Sequence, residues 1–544
     1  MAERRLRSES MSRAADYVVV GSGSSGAIIA RRLADTGAGV LLIEAGGNDN
    51  KVLVRKPGMI GPMHAVPQLK KTVDWGHYTV EQKHALGRKI PQTHGRVLGG
   101  SSSINGMVFV RGNRKNFDDW ATEGNTGWSY DDVLPYFKKF ESFEDGGNDF
   151  RGGDGPIKVI RARELTPASE AFMEALSATA GVKRNEDYNA AEQDGVSIFQ
   201  QSNSRGLRSS TSVGYLDDRP PNLVVLPNTQ VSRVVIEDGR ATGVEVITKR
   251  GTETIRAERE VIVSGGTFGS PHLLMLSGVG PADHLRAFGI DVAADLPVGD
   301  NLHDHLFVPM SFAMPTALRR SSPAYFARAF MRERVWTDST WLARSVFEVV
   351  AFVRGEHAVD IPNLQLHVLP WSYPGPNQDA PIMHRPDKRR ALTIMSTLIY
   401  PKSRGTLRLA SADPTAAPLI DPSYLDEDSD IDVLAGGMEL IRETMNSPAI
   451  FGGVEVEVEP GPAYKTRADL AKEVLNRATT VYHPVGTCRM GVDERAVVDP
   501  QLRVRGIEGL RVADASIMPS IVGGNTNASS MMIGERAADL ILNG

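Results

Sequence analysis

The chain has 544 residues, with 61 Lys and Arg against 66 Asp and Glu, a formal net charge of −5 and one cysteine. That length exceeds what a single hydrophobic core organises, so two or more domains are expected. The mildly acidic balance excludes a broad electrostatic footprint for nucleic acid, and the lone cysteine excludes an internal disulfide framework and a multi-cysteine metal site, so a cytoplasmic setting is expected.

Residues 1–13 are basic and polar with no apolar core behind them, and read as a disordered tail, not a secretory signal. From Asp16 to Gly47 an apolar strand, a glycine turn, a helical run and a second apolar strand make a βαβ unit. Gly21, Gly23 and Gly26 form GxGxxG directly after the first strand. The pattern supplies a tight turn, close backbone approach to a pyrophosphate and close helix–strand packing, with phosphate charge meeting the helix N-terminus. Glu44 ends the second strand 18 residues after Gly26, near the spacing at which a carboxylate accepts ribose hydroxyls. A dinucleotide is expected on this evidence, with NAD and FAD both compatible. In RVLGGSSSINGMVFVRG (Arg96 to Gly112) the glycines and serines give a backbone able to lie against a cofactor, and Asn105 offers an amide; a polar surface loop is the plainer alternative.

From Asn222 to Gly266 short strand patterns alternate with turns, and EDGR between two β-branched runs predicts a hairpin. SGGTFGSPHLLMLSGVGP reads as strand, glycine turn and helix, with Pro271 in an early turn. The histidines of NLHDH (His303 and His305) suggest a metal, but no further ligands accompany them, so the segment reads as a structural loop. Between about Phe312 and Tyr400, PAYFARAFMRERVW and STWLARSVFEVVAFVR read as helices, and NLQLHVLP and LTIMSTLIY as strands, of a separate substrate-facing domain. VYHPVGTCRMG then places His483 five residues ahead of Cys488. A thiol–histidine pair, a metal fragment and a histidine acting alone are all open at this point. The tail from Val497 returns to strand, loop and the helical run ASSMMIGERAADLIL. No apolar run approaches the roughly 20 residues that cross a bilayer.

Taken together, GGSSSINGMVFVRG, GTFGSPHLLMLSGVGP, YHPVGTCRMG and the C-terminal block from VVDPQLRVRG to GERAADLI resemble the glucose-methanol-choline oxidoreductases, FAD-dependent enzymes that oxidise alcohols. PNLQLHVLP and SRGTLRL carry the nearest likeness, to choline dehydrogenases and related bacterial alcohol dehydrogenases. The expected fold is α/β, α+β overall. A Rossmann-like FAD-binding domain (14–160, 200–311 and 484–544) interleaves with a substrate-binding domain (161–199 and 312–483) built on an antiparallel sheet with helices. The resemblance implies that Gly21, Gly23, Ser24, Ser25, Gly26, Glu44 and Ala45 hold the ADP half of FAD. Arg96, Gly99, Gly100, Ser101, Asn105, Gly106, Met107 and Val108 would lie along the pyrophosphate and isoalloxazine, with Val231 near the adenine. Asp514, Ala515, Asn525, Thr526 and Asn527 would return to the flavin from the C-terminus. His483 falls on the family's active-site histidine and Asn527 on its partner, with Tyr482 and Phe307 in the substrate pocket.

A hydride leaves an alcohol carbon more easily as the hydroxyl proton is lost, so the site needs a base. Histidine, with an ordinary pKa of about 6.5, suits the task, and general-base catalysis is typically worth about 10²–10⁴ in rate. On this reading Asn527 holds the alcohol oxygen, His483 takes the proton, flavin N5 takes the hydride, and a primary alcohol becomes an aldehyde. Cys488 then reads as a small buried packing residue. Two positions depart from the family pattern. Ile104 stands where covalently flavinylated choline oxidases carry a histidine, so non-covalent FAD is expected. Phe307 stands where choline-type enzymes carry a glutamate, which favours an uncharged alcohol; a phenyl ring keeps only a cation–π face. The Arg- and aromatic-rich stretch Leu318 to Arg344 reads as a lid, a homodimer contact or a peripheral membrane patch. The alternative functions are a non-redox FAD-containing lyase on the same scaffold and choline dehydrogenase proper. Sequence leaves the electron acceptor open among oxygen, a quinone and a carrier.

Overall fold

The computed structural model describes residues 14–248, 251–317, 328, 331, 343–373, 375 and 389–544. The 1–13 tail, the helix expected from PAYFARAFMRERVW and nearly all of the 318–344 stretch lie outside the described residues. Among the described residues, no helix is long and apolar enough to cross a membrane.

The βαβ unit forms as its pattern requires: strand Ala14–Val20, helix Gly26–Asp35 and strand Val40–Ile43. These strands lie parallel, with Leu223–Leu226 outside Val40–Ile43 and the long strand Gly251–Val263 beside Ala14–Val20. The EDGR hairpin, Gln230–Glu237 and Arg240–Thr248, pairs with the first half of Gly251–Val263. Its second half takes Leu510–Val512 in parallel, so the end of the chain returns to the sheet. Val18, Ile29, Leu41 and Ile262 are fully buried with Met531 and Ile533 of the last helix, Asn527–Asn543. Burying each such side chain contributes about 1.5–3 kcal/mol.

The second large sheet runs Val456–Glu459, Leu306–Ala313, Ala391–Leu398, Leu364–Leu369, Val349–Val353 and Gly195–Ile198, antiparallel throughout, with Thr479–Thr480 also on Leu306–Phe307. Side chains alternate across a strand. Leu306, Val308, Met310 and Phe312 pack with Leu366, Ile394 and the helices Pro167–Ala180 and Asp428–Met445. Their neighbours Phe307, Leu369 and Met395 form a separate cluster on the opposite face, toward a large cavity.

Two expectations need correction. The sheet starts at Leu306, so the domain boundary drawn at 312 falls inside a strand. The second half of STWLARSVFEVVAFVR is the strand Val349–Val353, not a helix, because both of its faces are covered and its short apolar run is compatible with either period.

Candidate active site

A cavity of about 1320 Å³ runs from the glycine turn of the βαβ unit to the inner face of the antiparallel sheet. At its first end the three fingerprint glycines divide their roles. A Cβ on Gly21 would lie 2.3 Å from Ser264 O, and one on Gly26 would lie 2.0 Å from Gly21 O, whereas one on Gly23 would meet nothing within 4 Å. Gly21 and Gly26 are therefore demanded by packing, and Gly23 faces the open space that a dinucleotide needs. Glu44 accepts from Ser22 N (3.0 Å), Ser22 Oγ (2.7 Å) and Gly46 N (2.7 Å), which leaves carboxylate lone pairs for ribose hydroxyls. Burial pushes its pKa up against these hydrogen bonds.

Ser24, Ser25, Ala45, Arg96, Gly100, Ser101, Asn105, Gly106, Val108, Val231, Asp514, Ala515, Asn525, Thr526 and Asn527 all line the same cavity. Gly26, Gly99 and Met107 stand one layer back, outside the lining. Gly99 has φ 84°, and a Cβ there would meet Ser103 Oγ at 2.2 Å; Met107 is fully buried, its N–H donating to Asn105 Oδ1.

At the far end, Tyr482 holds φ 65°, a costly conformation for a non-glycine residue. Two bonds fix it: Tyr482 N–H to Thr480 Oγ1 (2.7 Å) and Val481 N–H to His305 O (3.1 Å). The turn presents His483, whose N–H donates to Asp304 Oδ1 at 2.8 Å. Asp304 Oδ2 accepts from Thr480 and Tyr424, and burial raises the carboxyl to about 6.

The protonation of His483 can be read along a chain of bonds. His305 Nε2 lies 2.9 Å from the carbonyl of Ile399, which only accepts, so Nε2 carries the proton. Burial pushes His305 down to about 3, so the ring is neutral and its Nδ1 is an acceptor. His483 Nδ1, 3.1 Å away, must donate to it. Burial, His305 and His367 also hold His483 well below the usual range, so its Nε2 is a bare lone pair. That lone pair accepts from Asn525 Nδ2 at 3.0 Å, while Asn525 Oδ1 accepts from Gln365 Nε2 at 3.3 Å.

The asparagine hydrogen-bonded to His483 is thus Asn525. Asn527, assigned that place from sequence, accepts instead from Ser24 Oγ at 2.6 Å, two residues further on and at the start of the last helix. NLHDH is more than a structural loop: His303 Nδ1 pairs with Asn301 O, but Asp304 and His305 hold the base. Cys488 is fully buried outside the cavity, its thiol pushed well up by burial and Asp514, so no thiol–histidine pair forms.

Around His483 the wall is apolar and aromatic: Phe307, Phe347, Leu369, Trp371, Tyr373, Met395, Val481 and Tyr482. His367 Nε2 and Trp371 Nε1 are among the buried polar atoms of lining residues that have no hydrogen-bond partner. His367 is neutral, pushed to about 4 by burial, with Nδ1 at 3.1 Å from Thr397 Oγ1. The only carboxylates on the lining among the described residues are Glu44 and Asp514. Asp514 is taken up by Gly266 N, Ser270 Oγ and Ser516 N. Sequence reading missed His305, Asp304, His367 and Trp371. The period of NLQLHVLP carried a signal for His367, which shares a strand face with Leu369.

A dinucleotide cradle at one end of the cavity and a neutral histidine with an amide partner at the other fit a dinucleotide-dependent oxidoreductase. The GMC oxidoreductase model matches residues 15–307 with its N-terminal part and 401–534 with its C-terminal part. The chain belongs to this family, and is an FAD flavoenzyme acting on CH–OH donors. It is 39% identical over 538 residues to the oxygen-dependent choline dehydrogenase of Sinorhizobium medicae (strain WSM419), covering 97% of this chain and 95% of the relative. Among solved structures it is similar to pyridoxine 4-oxidase from Mesorbium loti (TM-score 0.86, 29% identity, 97% of this chain and 99% of that one). A fungal aryl-alcohol oxidase is also similar (TM-score 0.82, 25% identity, 97% and 98%).

Proposed function

We propose that this protein oxidises an uncharged primary alcohol to an aldehyde, with His483 as the base and FAD held without a covalent bond. The observation that carries the proposal is the lone pair on His483 Nε2, fixed as an acceptor by the bonds that end at the Ile399 carbonyl. FAD, when bound, supplies the two-electron acceptor. His483 Nε2 takes the hydroxyl proton as electron density builds on the alcohol oxygen. The Asn525 amide, which rests on that lone pair, donates to the alcohol oxygen once substrate enters. His305 holds the ring in the required tautomer, and Asp304 holds its backbone.

Substrate class follows from what surrounds the base. A quaternary ammonium would be desolvated there without a free carboxylate, a costly burial, whereas an aromatic or aliphatic alcohol gains from contact with Phe307, Phe347 and Tyr373. The names pyridoxine 4-oxidase and aryl-alcohol oxidase, borne by two similar structures, support an aromatic alcohol. Ile104, on the cavity wall, has no atom able to bond to the flavin, which supports dissociable FAD.

The test is anaerobic mixing with benzylic, aliphatic and amino alcohols, choline included, while the flavin's visible absorbance is followed. Benzylic or aliphatic alcohols should bleach it fastest. Bleaching by choline alone would overturn the substrate class, and product formed without bleaching would favour a lyase.

A further inference from the structure

Among the described residues the most deeply buried arginines are Arg111, Arg151 and Arg208, at 1%, 0% and 2% exposure. The first two share the carboxylate of Glu141. Arg208 has no acidic partner among the described residues. Its Nε donates to Val54 O (3.0 Å), and its Nη1 to Ser102 O (3.3 Å), Asn105 O (2.7 Å) and Asn105 Oδ1 (2.8 Å). Burial alone acts on it, lowering its pKa to about 9, with no neighbouring charge in opposition. It still carries its proton at neutral pH. A less buried arginine that also bonds only to carbonyls, Arg88, sits by Leu475 and Ala478 at the end of helix Arg467–Arg477, where helix dipoles offset its charge. The carbonyls that hold Arg208 come instead from two four-residue turns, Val52–Arg55 and Gly100–Ser103, and from Asn105, and turns this short sum to a much smaller dipole than a full helix.

An uncompensated buried cation is expensive, and the cost is offset where a negative charge arrives later. Arg208 grips the loop whose Gly100, Ser101, Ile104, Asn105 and Gly106 line the cavity, and Asn105 stands between the two. Its Oδ1 accepts from both Arg208 and Met107 N–H (2.9 Å), so its amide oxygen is turned inward. The end left for the cavity is the NH₂ donor.

We propose that Arg208 is a positioning residue for the bound cofactor: it sets positive charge behind the Gly100–Gly106 wall and fixes Asn105 as a donor, so that this wall favours negative charge on FAD. This rests on the FAD assignment. Two parts of FAD offer that charge, the pyrophosphate at all times and the ring system once reduced. The shared chemistry is an anion held against an amide donor with a guanidinium behind it.

The experiment compares Arg208→Met, which keeps length without charge, with Arg208→Lys, which keeps charge without the planar fork. FAD content of the wild-type protein is measured first and tests the cofactor assignment separately. One arm reads affinity of the apoprotein for oxidised FAD, which reports on the pyrophosphate. The other reads affinity of the holoenzyme for sulfite, which adds to the flavin and leaves negative charge on the ring, together with the midpoint potential. Arg208→Met should weaken FAD or sulfite binding about tenfold or more, a tenfold change in the two-electron equilibrium being ~30 mV. Arg208→Lys should stay within about threefold of wild type, where loss of a purely structural clamp would not be rescued. Wild-type values in both arms for Arg208→Met, or equal losses in the Met and Lys variants, would overturn the proposal. Should Arg208→Met fail to accumulate, Arg208→Gln, a neutral donor to the same carbonyls, takes its place in the comparison.

Discussion

Replacing Asn525 by alanine separates the structural assignment of the base's partner from the one suggested by sequence. The change removes the donor resting 3.0 Å from His483 Nε2 and the acceptor of the Gln365 amide at 3.3 Å. Freeing the Nε2 lone pair does not itself disable the base. What is lost is the donor for the alcohol oxygen, at the point where that oxygen gains negative charge. A hydrogen bond to a charged partner is worth about 1.5–3 kcal/mol, which corresponds to a fall in flavin reduction of roughly 10- to 150-fold. Asn527→Ala breaks only the 2.6 Å bond with Ser24, beside the glycine turn. It should lower FAD retention while the FAD-loaded fraction reduces at close to the wild-type rate. Anaerobic stopped-flow gives the rate, and the ratio of flavin to protein absorbance gives the loading. A slow Asn527→Ala beside a wild-type-like Asn525→Ala would refute the reasoning and restore Asn527 as the partner.

His305→Phe leaves His483 Nδ1–H and the Ile399 carbonyl without partners, at about 1–3 kcal/mol each, and releases the tautomer. Flavin reduction should fall at least about tenfold with FAD content unchanged, and an unaltered rate would remove His305 from the mechanism. Asp304, raised to about 6 from an ordinary 3.8, is more easily protonated in the folded state, so its stabilising contribution is complete below 3.8 and lost as pH rises through 6. The stability of Asp304→Asn relative to wild type should therefore increase from pH 4 to pH 7 by an amount on the order of 3 kcal/mol, and a gap that is constant or shrinks in thermal melts would contradict it. Acid precipitation should leave FAD in the supernatant; yellow colour pelleting with the protein would refute the inference from Ile104.

The parts of this protein legible from sequence are those whose physics is local. GxGxxG is largely such a case, because Gly26 answers to Gly21 O and Gly23 to the space in front of it, although Gly21 answers to Ser264 from a distant strand end. His483 was legible through its motif, and the strand Leu364–Leu369 through its apolar run. The strand Leu306–Ala313 was not, since it is buried throughout, lacks an alternating pattern and contains Pro309, which argues against a central strand. The structure accommodates that proline in the gap between Thr479–Thr480 and Val456–Glu459, the two short strands that share one side of it. Asp304 and His305 lie almost 180 residues from the histidine they support, so no local pattern announces them. Asn525 follows Gly524, whose φ of 133° and close approach to Val110 no spacing rule supplies.

The return of the chain end to the first sheet also sets a timetable for biosynthesis. On a ribosome the glycine turn and Glu44 emerge long before His483, Asn525 and the helix that begins at Asn527. The nucleotide cradle is thus left waiting for its last contacts, Asn527 on Ser24 and Ser530 on Ser25, as well as for the wall that carries His483. His483, Asn525 and the final cradle contacts are delivered by the same late segment, so the two ends of the cavity are completed together.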